Sequence, residues 1–162
     1  MFYSSISITV LLAVMNVVCS DCPSGFLRHD DSCYSLIRVK ASWAEAAVYC
    51  QAIGSHLARV KTASEQTFLE GYLIRENSTI TTDGVWIGGL TYLVPSEWQW
   101  GFENTRIANT WWAPGDPNKA VTQLCLMLYK KEAYRWDDND CQNREFFLCE
   151  LNLGSSPEIV GK

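Results

Sequence analysis

The sequence predicts an α+β domain, and three features of its pattern lead to that class. Two segments in the first half of the chain carry helix-capping motifs, and short apolar runs bounded by turn residues fill the second half. Between them lies a long stretch, residues 91–121, that is rich in Trp, Gly, Pro and Asn. Helices grouped before strands are typical of α+β domains.

A hairpin and a helix are predicted for the first part of the chain. Residues 26–39 alternate loosely between apolar and polar around a His-Asp-Asp turn, which is typical of a β-hairpin. Ser42 and Glu45 form a capping box, so a helix is expected over residues 43–53. The inward face of this helix holds Trp43, Ala46, Ala47 and Cys50.

A short strand and a second helix are predicted next. Residues 56–60 are expected to form the strand, and Thr62 with Glu65 forms a second capping box. This motif predicts a helix that continues to about Arg75. Its inward face holds Phe68, Leu69 and Tyr72.

The remaining predicted elements are strands. The apolar run Val85–Leu90 contains two glycines, which predicts a strand that another backbone approaches closely. Residues 124–129 and 134–138 are predicted to pair as a hairpin, and residues 146–150 form the last strand.

Tryptophans concentrate in and beside residues 91–121, where a loop without regular structure would otherwise be unusually long. Each can bury a large apolar area, so the loop can carry a small core of its own. The tryptophans expected in the core are Trp86, Trp98, Trp112 and Trp136. Trp111 is the candidate for an exposed aromatic residue.

The amino-terminal segment differs from the rest of the chain. Residues 6–18 form an apolar run, too short to span a bilayer comfortably, that is followed by small residues near Ser20 as in a secretory signal peptide. We therefore expect a signal peptide over residues 1–20, a domain over residues 21–150, a polar tail over residues 151–162 and a secreted product with no membrane span. Because no Lys or Arg precedes the run, an uncleaved signal anchor is the alternative.

The cysteine count indicates disulfides rather than a zinc site. The chain has seven cysteines and two histidines, and cleavage of the signal peptide would remove Cys19. An even number then remains, which in a secreted chain indicates a disulfide framework whose pairing the sequence leaves open. The segment Asn77-Ser78-Thr79 is a sequon for N-linked glycosylation.

Charge and residue chemistry argue against two classes of function. The formal net charge is −5 and the basic residues are scattered, whereas nucleic-acid binding needs a concentrated basic surface. Paired cysteines and isolated histidines offer no nucleophile–base pair, and no nucleotide motif is present. Neither a nucleic-acid partner nor an enzyme is expected.

One Gly/Pro-rich loop concentrates oxygen-bearing side chains. Asp116 and Asn118 flank Pro117, and Gln123 precedes Cys125 by two positions. A simple turn would explain this composition. Alternatively, the loop is one wall of a metal site, since carboxylate and amide oxygens suit a hard cation such as calcium.

Several motifs occur in an order that resembles a known family. They are Cys22 and Cys33, the Trp43–Cys50 helix, Trp86-Ile87-Gly88-Gly89-Leu90, Trp98-Gln99-Trp100, the Trp112–Asn118 loop, Cys125, Trp136-Asp137-Asp138, Cys141 and Phe147-Leu148-Cys149-Glu150. Together they resemble the C-type lectin domain in its long form, including the perlucin-like invertebrate members. The resemblance implies a C-type lectin fold, with two helices, small antiparallel sheets and a long calcium-binding loop.

The resemblance also implies a disulfide pairing. The implied pairs are Cys22–Cys33, Cys50–Cys149 and Cys125–Cys141. The second would join the first helix to the last strand. The third would hold the late hairpin against the long loop, and closing a loop of this length contributes about 3 kcal/mol to stability.

A calcium and carbohydrate site is the functional implication of the resemblance. In sugar-binding members one calcium lies at the tip of the long loop, and the matching positions here are Asp116, Asn118, Gln123, Asp137 and Asp138. The family's mannose-binding pattern has the same totals of acids and amides, although acid and amide have exchanged places at Gln123 and Asp137. The resemblance also implies a cis peptide bond before Pro117.

The order of acid and amide around the proline indicates a sugar preference. Asp116 before Pro117 and Asn118 after it resemble the mannose-type pattern, and the reverse order accompanies galactose in this family. We therefore expect mannose-, glucose- or fucose-type glycans as partners. Recognition of microbial or self glycans, as in innate immunity, is the corresponding role.

An interaction role without sugar binding is the competing hypothesis. The same fold hosts protein-binding and mineral-associated members, such as perlucin-like shell proteins, and an acidic secreted chain suits a calcium carbonate surface. The sequence leaves the oligomeric state open.

Overall fold

The computed structural model describes residues 21–91, 97–101, 103, 105–118 and 122–153. Its elements are β1 (Leu27–His29), β2 (Ser32–Ala41), α1 (Trp43–Ala52), β3 (His56–Leu57), α2 (Ala63–Glu76), β4 (Gly84–Leu90), β5 (Gln99–Trp100), β6 (Thr105–Arg106), β7 (Gln123–Tyr129), a 3-10 turn (Lys130–Glu132), β8 (Arg135–Asp140) and β9 (Glu145–Asn152). This content confirms the predicted α+β class. The signal peptide predicted over residues 1–20 and the tail from residue 154 onward lie outside the described residues.

Both helices begin at the capping boxes that the sequence predicts. The Glu45 carboxylate accepts a hydrogen bond from the Ser42 backbone N–H at 2.8 Å, and the Ser42 hydroxyl accepts one from the Glu45 N–H. Thr62 and Glu65 repeat this exchange at the start of α2. Within the described ranges, no helix is long and apolar enough to cross a bilayer.

The strands form one sheet with the order β1-β2-β9-β4-β5-β6. β3 pairs with β9, and the β7–β8 hairpin joins β4 through β7. β4 and β9 run parallel, whereas the other pairs are antiparallel. Several predicted strand boundaries differ from the structure. Only His56 and Leu57 of the predicted 56–60 strand pair with β9, β8 runs over Arg135–Asp140 rather than 134–138, and β9 continues past Glu150 to Asn152.

Alternate residues of the central strands enter two hydrophobic cores on opposite faces of the sheet. From β4, Val85 and Ile87 enter the core that contains α2 residues, and Trp86 enters the core that contains α1 residues. β9 alternates in the same way, with Leu148 in the first core and Phe147 in the second. The continuous apolar run of β4 follows from this burial on both faces.

The predicted close approach to β4 occurs at Gly88. Its N–H donates to Ala58 O at 2.8 Å, and its carbonyl accepts from the Gly101 N–H at 2.8 Å. A Cβ atom at position 88 would lie 3.0 Å from Leu57 O, so a larger residue would push β3 away. Through these hydrogen bonds, Gly88 joins β4 to Ala58 on one side and to Gly101 of the long loop on the other.

Three disulfides brace the domain with the implied pairing. They are Cys22–Cys33, Cys50–Cys149 and Cys125–Cys141. The second joins α1 to β9, and both of its residues are fully buried. The third joins β7 to the residue that follows β8, at the end of the hairpin nearest the long loop.

Candidate functional site

The long loop is fastened to β8 around Trp136. The Ala113 N–H donates to Trp136 O at 2.8 Å, and the Trp136 N–H donates to Trp111 O at 2.9 Å, so this loop segment lies beside β8 like a short parallel strand. Trp100, Trp111 and Trp112 contact the Trp136 ring edge-to-face, with ring centroids 5.3–5.8 Å apart. Trp136 is fully buried as predicted, but Trp112 is only half-buried.

This docking brings the acid–proline–amide segment next to β8. The Asp116 N–H donates to Ala113 O at 3.1 Å, and the Asp116–Pro117 peptide bond is cis, as the resemblance implied. The Asn118 N–H donates to Asp138 Oδ1 at 2.9 Å, and its side-chain amide donates to Asp116 Oδ1 at 3.3 Å. The loop and the strand therefore meet through hydrogen bonds between predicted site residues.

Three carboxylates converge at the meeting point. One oxygen from each of Asp116, Asp137 and Asp138 lies within 4.8 Å of the others. Asp138 is 1% exposed, and the other two are half-buried. Carboxylate oxygens grouped in this way can supply part of the oxygen shell of a calcium ion.

The electrostatics of the cluster also suit a cation. Burial raises the pKa of Asp137 well above the ordinary carboxyl value, and the neighbouring carboxylates of Asp116 and Asp138 raise it further. A hydrogen bond with Asp116 acts in the same direction. A divalent cation among these oxygens would replace repulsion by attraction, so the donor set fits calcium.

The structure brings four of the five predicted ligands together. Hydrogen bonds and the carboxylate cluster join Asp116, Asn118, Asp137 and Asp138. Gln123 is the first residue of β7, where it is half-buried and pairs with Asp140. It follows residues 119–121, which lie outside the described part of the chain. Its role as a ligand stays a prediction.

A groove of about 380 Å³ adjoins the carboxylate cluster. Besides Asp116, Asn118 and Asp137, its lining contains Asp83, Met127, Tyr129, Asn139 and Asn143. Sequence reasoning missed these five residues. Strand alternation could have placed Met127, Tyr129 and Asn139 on the face of Asp137. The sequence around Asp83 does not predict that it lines the groove, because Asp83 reaches the groove only through the pairing of Gly84 with Tyr129.

Comparison with known proteins assigns the family. The profile described as "Lectin C-type domain" matches residues 39–151. Perlucin from Haliotis laevigata is 35% identical over 131 residues, which cover 80% of this chain and 82% of perlucin. The chain therefore belongs to the C-type lectin domain family.

Solved structures of the same fold include a complex with GlcNAc and a calcium-independent protein. The SPL-1–GlcNAc complex is 25% identical, with a TM-score of 0.72 over 85% of this chain and 99% of that chain. A calcium-independent type II antifreeze protein is 26% identical, with a TM-score of 0.69 over 82% of this chain and 95% of that chain. Calcium dependence and sugar binding must therefore be argued from the site, not from the fold.

Proposed function

We propose that this protein is a secreted, calcium-dependent carbohydrate-binding lectin rather than an enzyme. The convergence of the Asp116, Asp137 and Asp138 carboxylates beside Asn118 carries the proposal. With Gln123, these side chains would hold the ion, and bound calcium supplies open coordination positions for two neighbouring sugar hydroxyls.

The same side chains would hydrogen-bond the sugar. The Asp116 and Asp137 carboxylates accept bonds from hydroxyl groups, whereas the Asn118 amide can donate one. Asp138 is almost fully buried and holds the Asn118 backbone, so its contribution to sugar binding would pass through the ion and the loop. The acid–proline–amide order supports a mannose-, glucose- or fucose-type ligand, and innate glycan recognition is the matching role.

Chelator-reversible retention on a mannose column tests the proposal. We expect the chain to bind in calcium and to elute with EDTA, and Asp138→Ala to abolish retention because it removes a buried ligand and the acceptor of the Asn118 N–H. Asp31→Ala, at an exposed turn between β1 and β2, is the matched control and should bind normally. Retention by a folded Asp138→Ala variant would contradict the proposal.

An interaction protein of mineral surfaces is the second candidate. Asp83, Asp116 and Asp137 line one groove of a chain with net charge −5, and perlucin is a relative. Adsorption to calcium carbonate crystals without retention on a glycan column would favour this function. Glycan retention without adsorption would reject it.

A further inference from the structure

We propose that Asn77 carries an N-linked glycan that occupies a cavity beside the candidate sugar groove and restricts the access of large glycans to that groove. The inference rests on the proposed function, because it assigns a regulator to the same site. It uses the sequon at residues 77–79, which the carbohydrate site does not involve.

The side chain of Asn77 is exposed, and a hydrogen bond fixes its orientation. Asn77 is the C-cap residue of α2, and it is exposed together with Ser78 and Thr79. Its amide oxygen accepts a hydrogen bond of 2.7 Å from the hydroxyl of Tyr134, a buried residue. This bond fixes the amide through its oxygen and leaves the nitrogen, the atom to which a glycan is attached, as the other branch of the group.

An open cavity of about 400 Å³ lies next to Asn77. Its lining includes the exposed side chains of Thr81, Asp83 and Lys131, which together offer donors and acceptors for sugar hydroxyls. The ammonium group of Lys130, which also belongs to the lining, donates a hydrogen bond to the backbone oxygen of Asn77 at 3.0 Å. A glycan on Asn77 therefore has hydrogen-bonding groups beside its inner sugars.

The cavity and the candidate sugar groove share one wall. Asp83 lines both of them, and the Lys130 N–H donates to Asp83 O at 3.0 Å. On β7, Tyr129 lines the groove next to this shared wall, whereas Met127, two positions away, pairs with Asp137 of the carboxylate cluster. A glycan on Asn77 would therefore cover the Asp83 end of the groove and leave the cluster open.

This placement predicts different effects on ligands of different size. Calcium and methyl α-mannoside need only the carboxylate end, so their affinities should not depend on the glycan. A branched oligomannoside extends along the groove, so the glycosylated chain should bind it several-fold more weakly than the unglycosylated chain.

The experiment compares sequon variants of the full chain secreted from eukaryotic cells. Thr79→Ala removes the sequon, whereas Thr79→Ser keeps both the sequon and the hydroxyl that donates to Glu76 O. We expect mass spectrometry to show a glycan that peptide-N-glycosidase removes from the wild type and Thr79→Ser but not from Thr79→Ala. Calorimetry should show tighter oligomannoside binding by Thr79→Ala than by the wild type or Thr79→Ser. The affinities for calcium and methyl mannoside should be the same in all three.

A second pair of variants separates the loss of the glycan from the loss of the hydrogen bond between Asn77 and Tyr134. Asn77→Gln removes the glycan and also disturbs the bond to Tyr134, and Tyr134→Phe removes that bond but keeps the glycan. Tighter oligomannoside binding by Asn77→Gln but not by Tyr134→Phe supports the inference. If Asn77 carries no glycan, or if the glycosylated and unglycosylated chains bind the oligomannoside equally while calcium binding is intact, the inference is wrong and the proposed function stands. Absence of calcium binding in every form would overturn the proposed function and the inference with it.

Discussion

Asp137 is the residue at which this chain has an acid where the family's mannose-binding pattern has an amide. Its carboxylate lies within a cluster whose oxygens are all within 4.8 Å of one another. Without a cation these charges repel, and with calcium they attract the ion. At the proposed calcium site, the same residue would destabilise the metal-free chain and stabilise the calcium-bound one.

Asp137→Asn should separate these two effects. In EDTA the variant should melt at a higher temperature than the wild type, because repulsion from Asp116 and Asp138 is relieved. Its calcium affinity should fall on the order of tenfold, because one charge that attracts the ion is lost. Thermal melts with and without calcium and a calorimetric calcium titration measure both. Unchanged melting and affinity would show that Asp137 is not part of the site.

His56 gives the chain a pH-dependent stability at a place far from the acidic loop. Burial lowers the pKa of His56 to about 4, and the positive charges of Arg59 and Lys61 act in the same direction, against a hydrogen bond to Leu57 O. The Glu150 carboxylate, whose own pKa is raised by burial, lies 3.9 Å from Nδ1. The imidazole is therefore neutral in the folded chain at neutral pH.

The predicted consequence is that His56 contributes less to stability in acid. Below pH 6.5 the unfolded chain protonates this histidine, whereas the folded chain does so only near pH 4, so the unfolded state binds more protons across that interval. The contribution of His56 to stability should therefore decline as the pH falls from 6.5 to 4, so His56→Gln should lose less stability than the wild type across that interval. Urea midpoints at several pH values measure it, with His29→Gln as the control. An equal slope in His56→Gln and the wild type would contradict this account.

At the scale of elements, α2 positions the strand that carries half of the site. Gln66 on α2 is 2% exposed, and its side-chain oxygen accepts from Trp136 Nε1 at 2.8 Å. Its side-chain nitrogen donates to Glu70 Oε1 at 2.8 Å and to Tyr134 O at 3.3 Å. Since Asp137 and Asp138 directly follow Trp136, Gln66 fixes where β8 presents them.

Gln66→Leu should therefore weaken calcium binding as well as the fold. It leaves a buried indole N–H and a buried carbonyl without their partner, which costs about 1–3 kcal/mol for each group. We expect a lower urea midpoint and a several-fold weaker calcium affinity of the folded fraction. Thr67→Ala, on the exposed side of α2, should change neither by a comparable amount. A fully folded Gln66→Leu variant with wild-type calcium affinity would leave Gln66 a purely structural role.

The accuracy of the sequence-based predictions follows from how local each feature is. The helix starts were predictable because Ser42–Glu45 and Thr62–Glu65 bond within one turn. The end of β3 was not, because it depends on pairing with β9, distant in sequence. The proposed ligands followed from the resemblance of the motifs around Pro117 and Trp136 to the family, whereas the far wall of the groove depends on how β4 meets β7. Local chemistry could be inferred from the sequence, whereas the pairing of strands distant in the chain could not.

At the scale of the whole molecule, two disulfides close loops of very different length. Cys50–Cys149 spans a sequence separation of 99 and joins α1 to β9 inside one of the two cores. Cys22–Cys33 spans a separation of 11 and ties only the amino-terminal segment to β2. In the chain-entropy model a disulfide contributes about 4.7 kcal/mol for a loop of about 100 residues and about 3 kcal/mol for one of about 15.

Removing the two links should therefore have unequal effects. The double variant Cys50→Ala, Cys149→Ala should lose more free energy of unfolding than Cys22→Ala, Cys33→Ala, because it releases a longer loop and also opens space among fully buried residues. The second pair should keep its calcium affinity, since β1 and β2 lie apart from the carboxylate cluster in the sheet order. Urea unfolding under non-reducing conditions and a calcium titration of both variants provide the measurements. Equal losses of stability would mean that loop length does not govern the contribution of these links, and a loss of calcium affinity in the Cys22–Cys33 pair would mean that the amino-terminal hairpin supports the site.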